Sequence, residues 1–301
     1  MKSAYNKNPV EIIRGKHKKI SVFSTEGNNI DPIVVKGFGD EWLKFKDFSD
    51  AEIAQISAEY FDILDDNILT PSTYAVDIGC GSGRWTKALS RRVGFVEAID
   101  PSNAVISAEH LLKEVENVRI TKASVETIPF DDETFDFAMS VGVLHHIPDT
   151  QKAMVDCVKK VKKGGYFFTY LYYNFETRPA IYKTMYFVTN GIRNVVSKMP
   201  SSLKKFSCDI LAITTYMPVI GLGRIMNAIG LKKAALKLPL SEYQARSFFV
   251  IRNDAMDRYG TTFDQRFSKE EVITMMKKSG LENIVVSPIS PFYHAVGRKP
   301  F

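Results

Sequence analysis

The chain has 301 residues and little cysteine: only Cys80, Cys157 and Cys208, far apart and forming no CxxC pair. That argues against a disulfide scaffold and a cysteine-rich zinc site, and points to a reducing, cytoplasmic compartment. A long apolar run is also lacking. Near the most basic segment the longest uncharged stretch, Ile210 to Gly223, has 14 residues and contains Pro218. That is short of the ~20 a helix needs to cross a bilayer, so no spanning segment is expected. The N-terminus, MKSAYNKNPVEIIRGKHKK, is basic but has no apolar h-region and does not read as a secretory signal. Repeats and low-complexity tracts are missing too. With 45% hydrophobic and 25% charged residues the composition is that of a globular protein, long enough for one large domain or two small ones. The five histidines, His17, His110, His145, His146 and His294, supply one close pair. Adjacent residues seldom both reach one metal, so no metal site is expected.

One segment has almost no acid. Between residues 181 and 240 nine Lys/Arg meet a single carboxylate, Asp209, giving +8, while the other 241 residues carry −2. The basic segment allows three readings. It is a solvated cap packed by its apolar positions, or a peripheral surface meeting anionic lipid at the inner face of the membrane or a lipid-linked acceptor, or a surface holding RNA. Lys and Arg mix there with Phe187, Val188, Ile192, Val195 and Val196, which suits a lipid surface. No recognisable RNA-binding module accompanies them, so nucleic acid is the least expected partner.

The order of apolar runs gives the architecture. Residues 1–35 are polar and read as loosely structured. Strands are expected at Tyr74–Ile78, Phe95–Ile99, Val118–Ala123, Phe135–Val141 and Tyr166–Tyr172. A helix over Trp85–Arg92 separates the first two. Another, capped by Ser102, carries Ile106, Leu111, Leu112 and Val115 on its apolar face. A third spans Asp149–Lys160 and closes on Lys163-Gly164-Gly165. Strand and helix alternating at this pitch predict a parallel sheet covered on both faces. Residues 176–262 then read as helical, with loop signals at Pro179, Pro200 and Pro239. Ser268 with Glu271 makes a capping box before Val272, Met275 and Met276. Ile284–Ser287 and Tyr293–Gly297 read as two closing strands.

The stretch that carries chemistry is VDIGCGSGRW, Val76 to Trp85. A strand ends near Asp77, and Gly79, Gly81 and Gly83 let the backbone turn sharply and approach a ligand before a helix begins. A dinucleotide site favours GxGxxG, whereas Arg84 stands where its third glycine belongs, so a nicotinamide-dependent oxidoreductase is a remote alternative. Asp100 ends the next strand, where a carboxylate can accept both hydroxyls of a ribose, each such bond contributing ~1.5–3 kcal/mol.

The combination of DxGxGxG, the acidic Asp100, SVETIPFDDETFDFAMSVGVLHHIPD and VKKGGYF resembles class I S-adenosylmethionine-dependent methyltransferases with a type 11 domain, over about residues 73–173. FGDEWLKF near the N-terminus and FDQRFSKEEV with YHAVGRK near the end resemble a bacterial subset of sugar and polysaccharide pathways. The resemblance implies an α/β, Rossmann-like seven-stranded sheet with an antiparallel last strand, helices on both faces and a helical cap after strand five. It divides the chain into an extension and lid (1–72), a cofactor-binding core (73–175), a basic helical cap (176–262) and a C-terminal completion of the sheet (263–301). It implies S-adenosyl-L-methionine as cofactor, with Asp77 and Gly79 beside its methionine end and Asp100 on its ribose. Gly81 and Gly83 complete the loop, and Pro101 and Ser102 flank the adenine. Ser124 and Val125 meet the adenine edge, although the family more often has Asp where Ser124 stands. Ser140, Val141 and Gly142 meet the methionine amine.

Methyl transfer from a sulfonium depends largely on positioning. A neutral amine attacks unaided, whereas a hydroxyl usually needs a base. The base candidates are His145 and His146, which follow strand four at the carboxyl edge of the sheet, with Tyr172 as a third candidate catalytic residue. Packing is the competing explanation for both histidines. Alternation puts Tyr170 and Tyr172 on one face and Tyr173 on the other, either lining the acceptor pocket or filling the core. Tyr293 and His294 read as structural. Asp40–Trp42 is either a lid over the cofactor or a packed helix. The expected activity is methylation of a hydroxyl or amine on a small-molecule acceptor, an anionic sugar or glycoconjugate. The alternatives are an RNA methyltransferase and a non-catalytic protein that only binds the cofactor.

Overall fold

The computed structural model describes residues 3–45, 47–176 and 180–301. Pro179, one of the three loop signals, and the side chain of Lys183 lie outside the described residues. The chain opens with strands β1 (Glu11–Arg14) and β2 (Lys19–Val22), then helices α1 (Pro32–Lys44) and α2 (Asp50–Tyr60). There follow β3 (Tyr74–Ile78), α3 (Arg84–Ser90), β4 (Phe95–Asp100), α4 (Ala104–Leu111), β5 (Val118–Lys122), β6 (Phe135–Val141), α5 (Thr150–Lys159) and β7 (Val161–Tyr170). Next come α6 (Ala180–Val196), α7 (Ser201–Leu211), α8 (Met217–Ala228), α9 (Lys232–Ala235) and α10 (Phe248–Gly260). Helix α11 (Lys269–Lys278) and strands β8 (Glu282–Val286) and β9 (His294–Arg298) complete the chain. Two compact units result: Met1–Glu176 with Asp264–Phe301, and Thr177–Phe263.

In the first unit one sheet runs in the order β1-β2-β5-β4-β3-β6-β7-β9-β8. The expected seven strands are there, with β9 antiparallel to both its neighbours, but the sheet has nine. The two additional strands come from residues 1–35, which sequence reasoning took as loosely structured. Four-residue strands carry too little periodicity to read, and distant partners hold them. Ile20 pairs with Ile120 and is buried, and the Glu109 carboxylate accepts from the backbone N–H groups of His17 and Lys18.

All five residues of β3 are buried, as a strand covered on both faces requires. Tyr74, Val76 and Ile78 join the core formed with Met154 and Cys157 of α5 and Val272 and Met276 of α11. Asp77 faces the other way, where Thr86 of α3 donates to it. Strand order reverses between β3 and β6, and open α/β sheets bind ligands at the carboxyl edge of such a switch point.

Three local expectations are corrected. Strand β7 begins at Val161, directly after α5, so Lys163-Gly164-Gly165 is not a helix cap. Those residues form a bulge against Phe135 and Phe137, with Gly164 at φ +77. The strand ends at Tyr170 rather than Tyr172. Helix α4 is capped at Asn103, with Ser102 one residue earlier, and Ile106, assigned to its apolar face, is exposed.

The second unit is built of helices joined by turns, with no strand among its described residues. Its α10 packs on α6 and α7, and a bidentate Arg252–Asp209 ion pair (2.9 and 2.7 Å) joins α10 to α7. Pro218 does not end the apolar stretch. Residues Ala212–Tyr216 form a π turn that joins α7 to α8 in one helix, Ser201–Ala228. The wide turn passes the Met217 N–H to the Ala212 carbonyl, five residues back, and puts Pro218 in the first turn of α8, where a missing N–H is tolerated. The hydroxyls of Thr214 and Thr215 donate back to the carbonyls of Ile210 and Leu211. This helix is long and apolar enough to cross a bilayer by length and composition, which the 14-residue uncharged run did not suggest.

Candidate active site

The turn after β3 is built from left-handed glycines: Gly79, Gly81 and Gly83 have φ of +82, +53 and +84. The N–H groups of Gly79 and Cys80 donate to the Ile99 carbonyl at 2.7 and 2.9 Å, tying the loop to the end of β4. A Cβ on Gly79 would lie 2.4 Å from Val143, and one on Gly83 2.9 Å from Leu112. Conformation and space therefore both select glycine at these two positions.

Two buried carboxylates flank the loop. Asp77 accepts from Thr86 Oγ1 at 2.6 Å through one oxygen, and its other oxygen, Oδ1, has no partner. Burial pushes its pKa up to about 7; the Thr86 hydrogen bond opposes that and the nearby Asp100 charge adds to it. The Ser82 hydroxyl, inside the loop, is likewise buried without a partner. Asp100 accepts from Gly81 N at 2.9 Å, Ser102 N at 2.8 Å and Ser102 Oγ at 2.6 Å. Burial raises its pKa, opposed first by the Ser102 side chain. A carboxylate offers about four acceptor sites, so a hydroxyl meeting Asp100 takes the remaining one or shares with Ser102.

The other cofactor candidates differ in how free they are. Pro101 leads into the Asp100–Ser102 turn. Ser124 is buried, its N–H donating to Thr127 Oγ1, and Val125 opens a short 3-10 turn. Ser140 is knit into the sheet: its hydroxyl donates to the Ile78 carbonyl and its own carbonyl accepts from Thr169 Oγ1. Val141 ends β6, and Gly142 beyond it has φ +76, with open space where its Cβ would stand except Tyr170 at 4.0 Å.

Helix α1 lies along this edge. Its Gly39 approaches the backbone of Asn103, and the Trp42 indole stands 3.1 Å from where a Gly81 Cβ would be. The Arg84 guanidinium sits 4.9 Å over the Trp42 ring, and the Ser107 hydroxyl donates to the Trp42 carbonyl. Phe38 meets His146 at 4.7 Å between ring centroids. The Asp40–Trp42 segment thus covers the glycine loop.

Beyond the loop the edge is aromatic. The His145 ring stands 3.9 Å from Tyr172 and 4.1 Å from His146, fully buried, with neither ring nitrogen hydrogen-bonded. Burial holds its pKa well below the usual histidine value, with His146 and Arg266 adding to the effect. Tyr170 meets Tyr172 at 5.9 Å and Tyr60 at 5.0 Å, and Tyr60 meets Trp85 at 4.6 Å. Tyr173 turns away to Phe175 and Phe292. His294 bridges the Pro291 carbonyl and the Asp62 carboxylate, which also accepts from Ser287 Oγ at 2.7 Å.

Sequence reasoning missed Tyr60, Asp62, Ser82 and Thr86. Ser82 and Thr86 had a signal, since both are hydroxyls within ten residues of Asp77 across a strand, glycine loop and helix. Tyr60 and Asp62 had none, because Tyr170 and His294, which they meet at this edge, lie more than a hundred residues away.

Residues 76–169 match the family model described as a methyltransferase domain. A ubiquinone biosynthesis O-methyltransferase of Coxiella burnetii is 27% identical over 146 residues, covering 48% of this chain and 60% of that protein. A demethylmenaquinone methyltransferase of Alkalihalophilus pseudofirmus is 34% identical over 101 residues, 32% of this chain and 43% of its own length. The chain thus spans less than two thirds of these relatives. Among solved structures, an S-adenosylmethionine-dependent methyltransferase from Aquifex aeolicus aligns with 83% of this chain and 97% of its own at 16% identity and a TM-score of 0.44. One from Thermotoga maritima aligns with 86% and 99% at 19% identity and a TM-score of 0.42. The matched stretch contains the glycine loop and both carboxylates, so a methyltransferase domain occupies it, and S-adenosylmethionine is the cofactor of that domain. The residues fit that group: Asp77 Oδ1 and Ser82 Oγ are buried polar atoms without partners, beside a loop of left-handed glycines.

Proposed function

We propose that the chain methylates a hydroxyl or amine of a small-molecule acceptor. The observation that carries this reading is the unpartnered Asp77 oxygen beside the loop of Gly79, Gly81 and Gly83, one strand away from Asp100. When bound, S-adenosylmethionine supplies an electrophilic methyl carbon on a sulfonium. Asp77 would hold the cationic methionine end, and a ligand cation there would favour its ionised form. Asp100 would take the ribose, Pro101, Ser102, Ser124 and Val125 the adenine, and the end of β6 at Ser140 and Val141 the methionine amine. Trp42 and Phe38 of α1 would exclude water from the cleft. The chain's main contribution is then orientation, which can supply ~7–11 kcal/mol of the barrier.

For a hydroxyl acceptor the proton must go to a base. His145 is neutral at physiological pH and so in the right form to accept one, but its burial makes the cationic form expensive. His146 and Tyr172, against the same ring, are the other candidates. A neutral amine acceptor needs none of the three.

Tyr60, Tyr170 and Tyr172 pack on one another at this edge, and a flat aromatic acceptor would extend the same edge-to-face and offset packing. The quinone-biosynthesis names of the relatives point the same way, and they lend the sugar or glycoconjugate acceptor no support. A cytoplasmic location belongs to the proposal, supported by three free, buried cysteines.

Incubation with methyl-labelled cofactor and three pools tests the reading: a membrane-lipid extract containing quinols, nucleotide sugars, and total RNA. Label is expected in the lipid extract. Label in the sugars or RNA alone would move the acceptor to that class, and label in none would leave a protein that only binds the cofactor. If calorimetry detects no S-adenosylhomocysteine binding but does detect NADH binding, the methyltransferase reading fails.

A further inference from the structure

The helix Ser201–Ala228 is apolar on two faces, and only one is used within its unit. Cys208, Ala212, Tyr216, Ile220 and Gly223 recur every three or four residues and are buried. Tyr216 on that face donates to Asp254 of α10. The opposite face carries Leu203, Phe206 and Ile210 before the π turn, Ile213 within it, and Leu222 and Ile225 after it, all exposed. The π turn keeps both stripes in phase across Pro218. Phe206 is 62% and Ile225 61% exposed, values unusual for such side chains. Ile229, Leu231 and Leu236 extend the apolar surface past the helix, and exposed Lys232, Lys233 and Lys237 alternate with them. A run of apolar side chains interleaved with lysines is the pattern of an element lying in a lipid interface, where the lysine stems reach over the apolar layer to the phosphates.

We propose that this outer face docks the protein on a bilayer containing anionic lipid. The helix lies on the membrane rather than crossing it, although its length and composition would allow a span. Its inner face is committed to α10, through the Asp209–Arg252 pair and the Tyr216–Asp254 hydrogen bond, and cannot turn to lipid without leaving those charges unpartnered. Charge selects the occupant. Exposed Lys232, Lys233 and Lys237 border this surface, so a second copy would meet like charge on it, whereas anionic headgroups complement it. Nucleic acid would neutralise the lysines but would leave Phe206, Ile225 and their neighbours in water.

The proposal does not depend on methyl transfer, because vesicle binding needs no cofactor. The test is co-sedimentation of the full chain with vesicles of equal parts phosphatidylglycerol and phosphatidylcholine, against vesicles of phosphatidylcholine alone. Binding is expected to the mixed vesicles and to fall steeply with added salt. Lys232→Gln with Lys233→Gln should weaken it roughly 30-fold, about fivefold for each lysine at the surface. Phe206→Ser with Ile225→Ser should weaken it at least as much, with the thermal unfolding curve and S-adenosylhomocysteine affinity unchanged. Several results would overturn the proposal: no vesicle binding, equal binding to both vesicle types, an RNA complex in place of vesicle binding, or a dimer that the Phe206 and Ile225 variants dissociate.

Discussion

In the sheet-bearing unit Asp77, Asp100 and His145 are buried among strands and aromatic rings, and Asp77 and His145 keep atoms without hydrogen-bond partners. The helical unit does the reverse with its apolar groups. Of the 22 large apolar side chains exposed among the described residues, 14 fall between Met185 and Phe248. Both arrangements are unfavourable in water. Burying an unsatisfied carboxylate oxygen costs free energy, and a wide exposed apolar surface promotes aggregation. Each feature makes sense as one half of a contact. On the proposals above, the open Asp77 oxygen would meet a small polar ligand and the exposed stripe an extended apolar surface. One unit is organised around a point and the other around a plane.

The largest expected effect tests whether the sheet unit alone carries the fold's tight packing. Phe137, at the centre of β6, is fully buried. Phe137→Ala should destabilise that unit by ~3–5 kcal/mol, read by chemical denaturation. A smaller loss would mean the strand can collapse around the gap. Next is Asp100→Ala, which removes the acceptor for three donors from Gly81 and Ser102. S-adenosylhomocysteine affinity should fall ten- to a hundredfold by calorimetry, ~1.5–3 kcal/mol. Unchanged affinity would take Asp100 out of the cofactor site.

Ionisation should also mark the sheet unit. Asp77 titrates near 7 in the folded chain against about 3.9 unfolded, so the fold favours its protonated form. Its contribution to stability is full below pH 4 and is lost as pH rises through 7. A cationic ligand favours the ionised form, so cofactor binding should release a proton below pH 7. Affinity should then gain up to tenfold per pH unit until about pH 7. Calorimetry in buffers of different ionisation enthalpy reads the proton, and Asp77→Asn should abolish it. His145 has the opposite sign. Its folded value lies well below 6.5, so stability should fall as pH drops under 6.5, by up to ~1.4 kcal/mol per unit, and His145→Gln should remove that slope.

The sequence was legible where local periodicity and loop chemistry decide the structure. Tyr74–Ile78 and Phe135–Val141 lie where their apolar runs placed them, and the Ser268–Glu271 capping box forms. It was opaque where distant contacts decide. The first hairpin is held by Glu109 and the His294 ring by Asp62, and no short-range pattern carries those partnerships. Ile106 was misplaced because helical spacing shows that a stripe exists without showing what covers it. The same limit applies to Ser201–Ala228, where one periodicity describes two apolar faces and only packing separates them. The uncharged run of 14 residues understated this helix, because its length comes from a π turn that carries it past Pro218.

The smallest expected effect bears most directly on the comparison. Phe206 is chemically the same as Phe137 but 62% exposed. If the outer stripe contributes nothing to the unit's own packing, Phe206→Ser should change stability by no more than about 0.5 kcal/mol, as surface substitutions do. Chemical denaturation measured on this variant and on Phe137→Ala under the same conditions supplies the contrast. A loss of ~2 kcal/mol or more for Phe206→Ser would mean that the stripe packs against protein in solution, and its apolar character would then need no external surface to explain it. A near-zero change, together with the large loss at Phe137, would leave the apolar stripe without a role in folding. A fold that keeps such a surface without gaining stability from it needs some other contact to make it worth keeping.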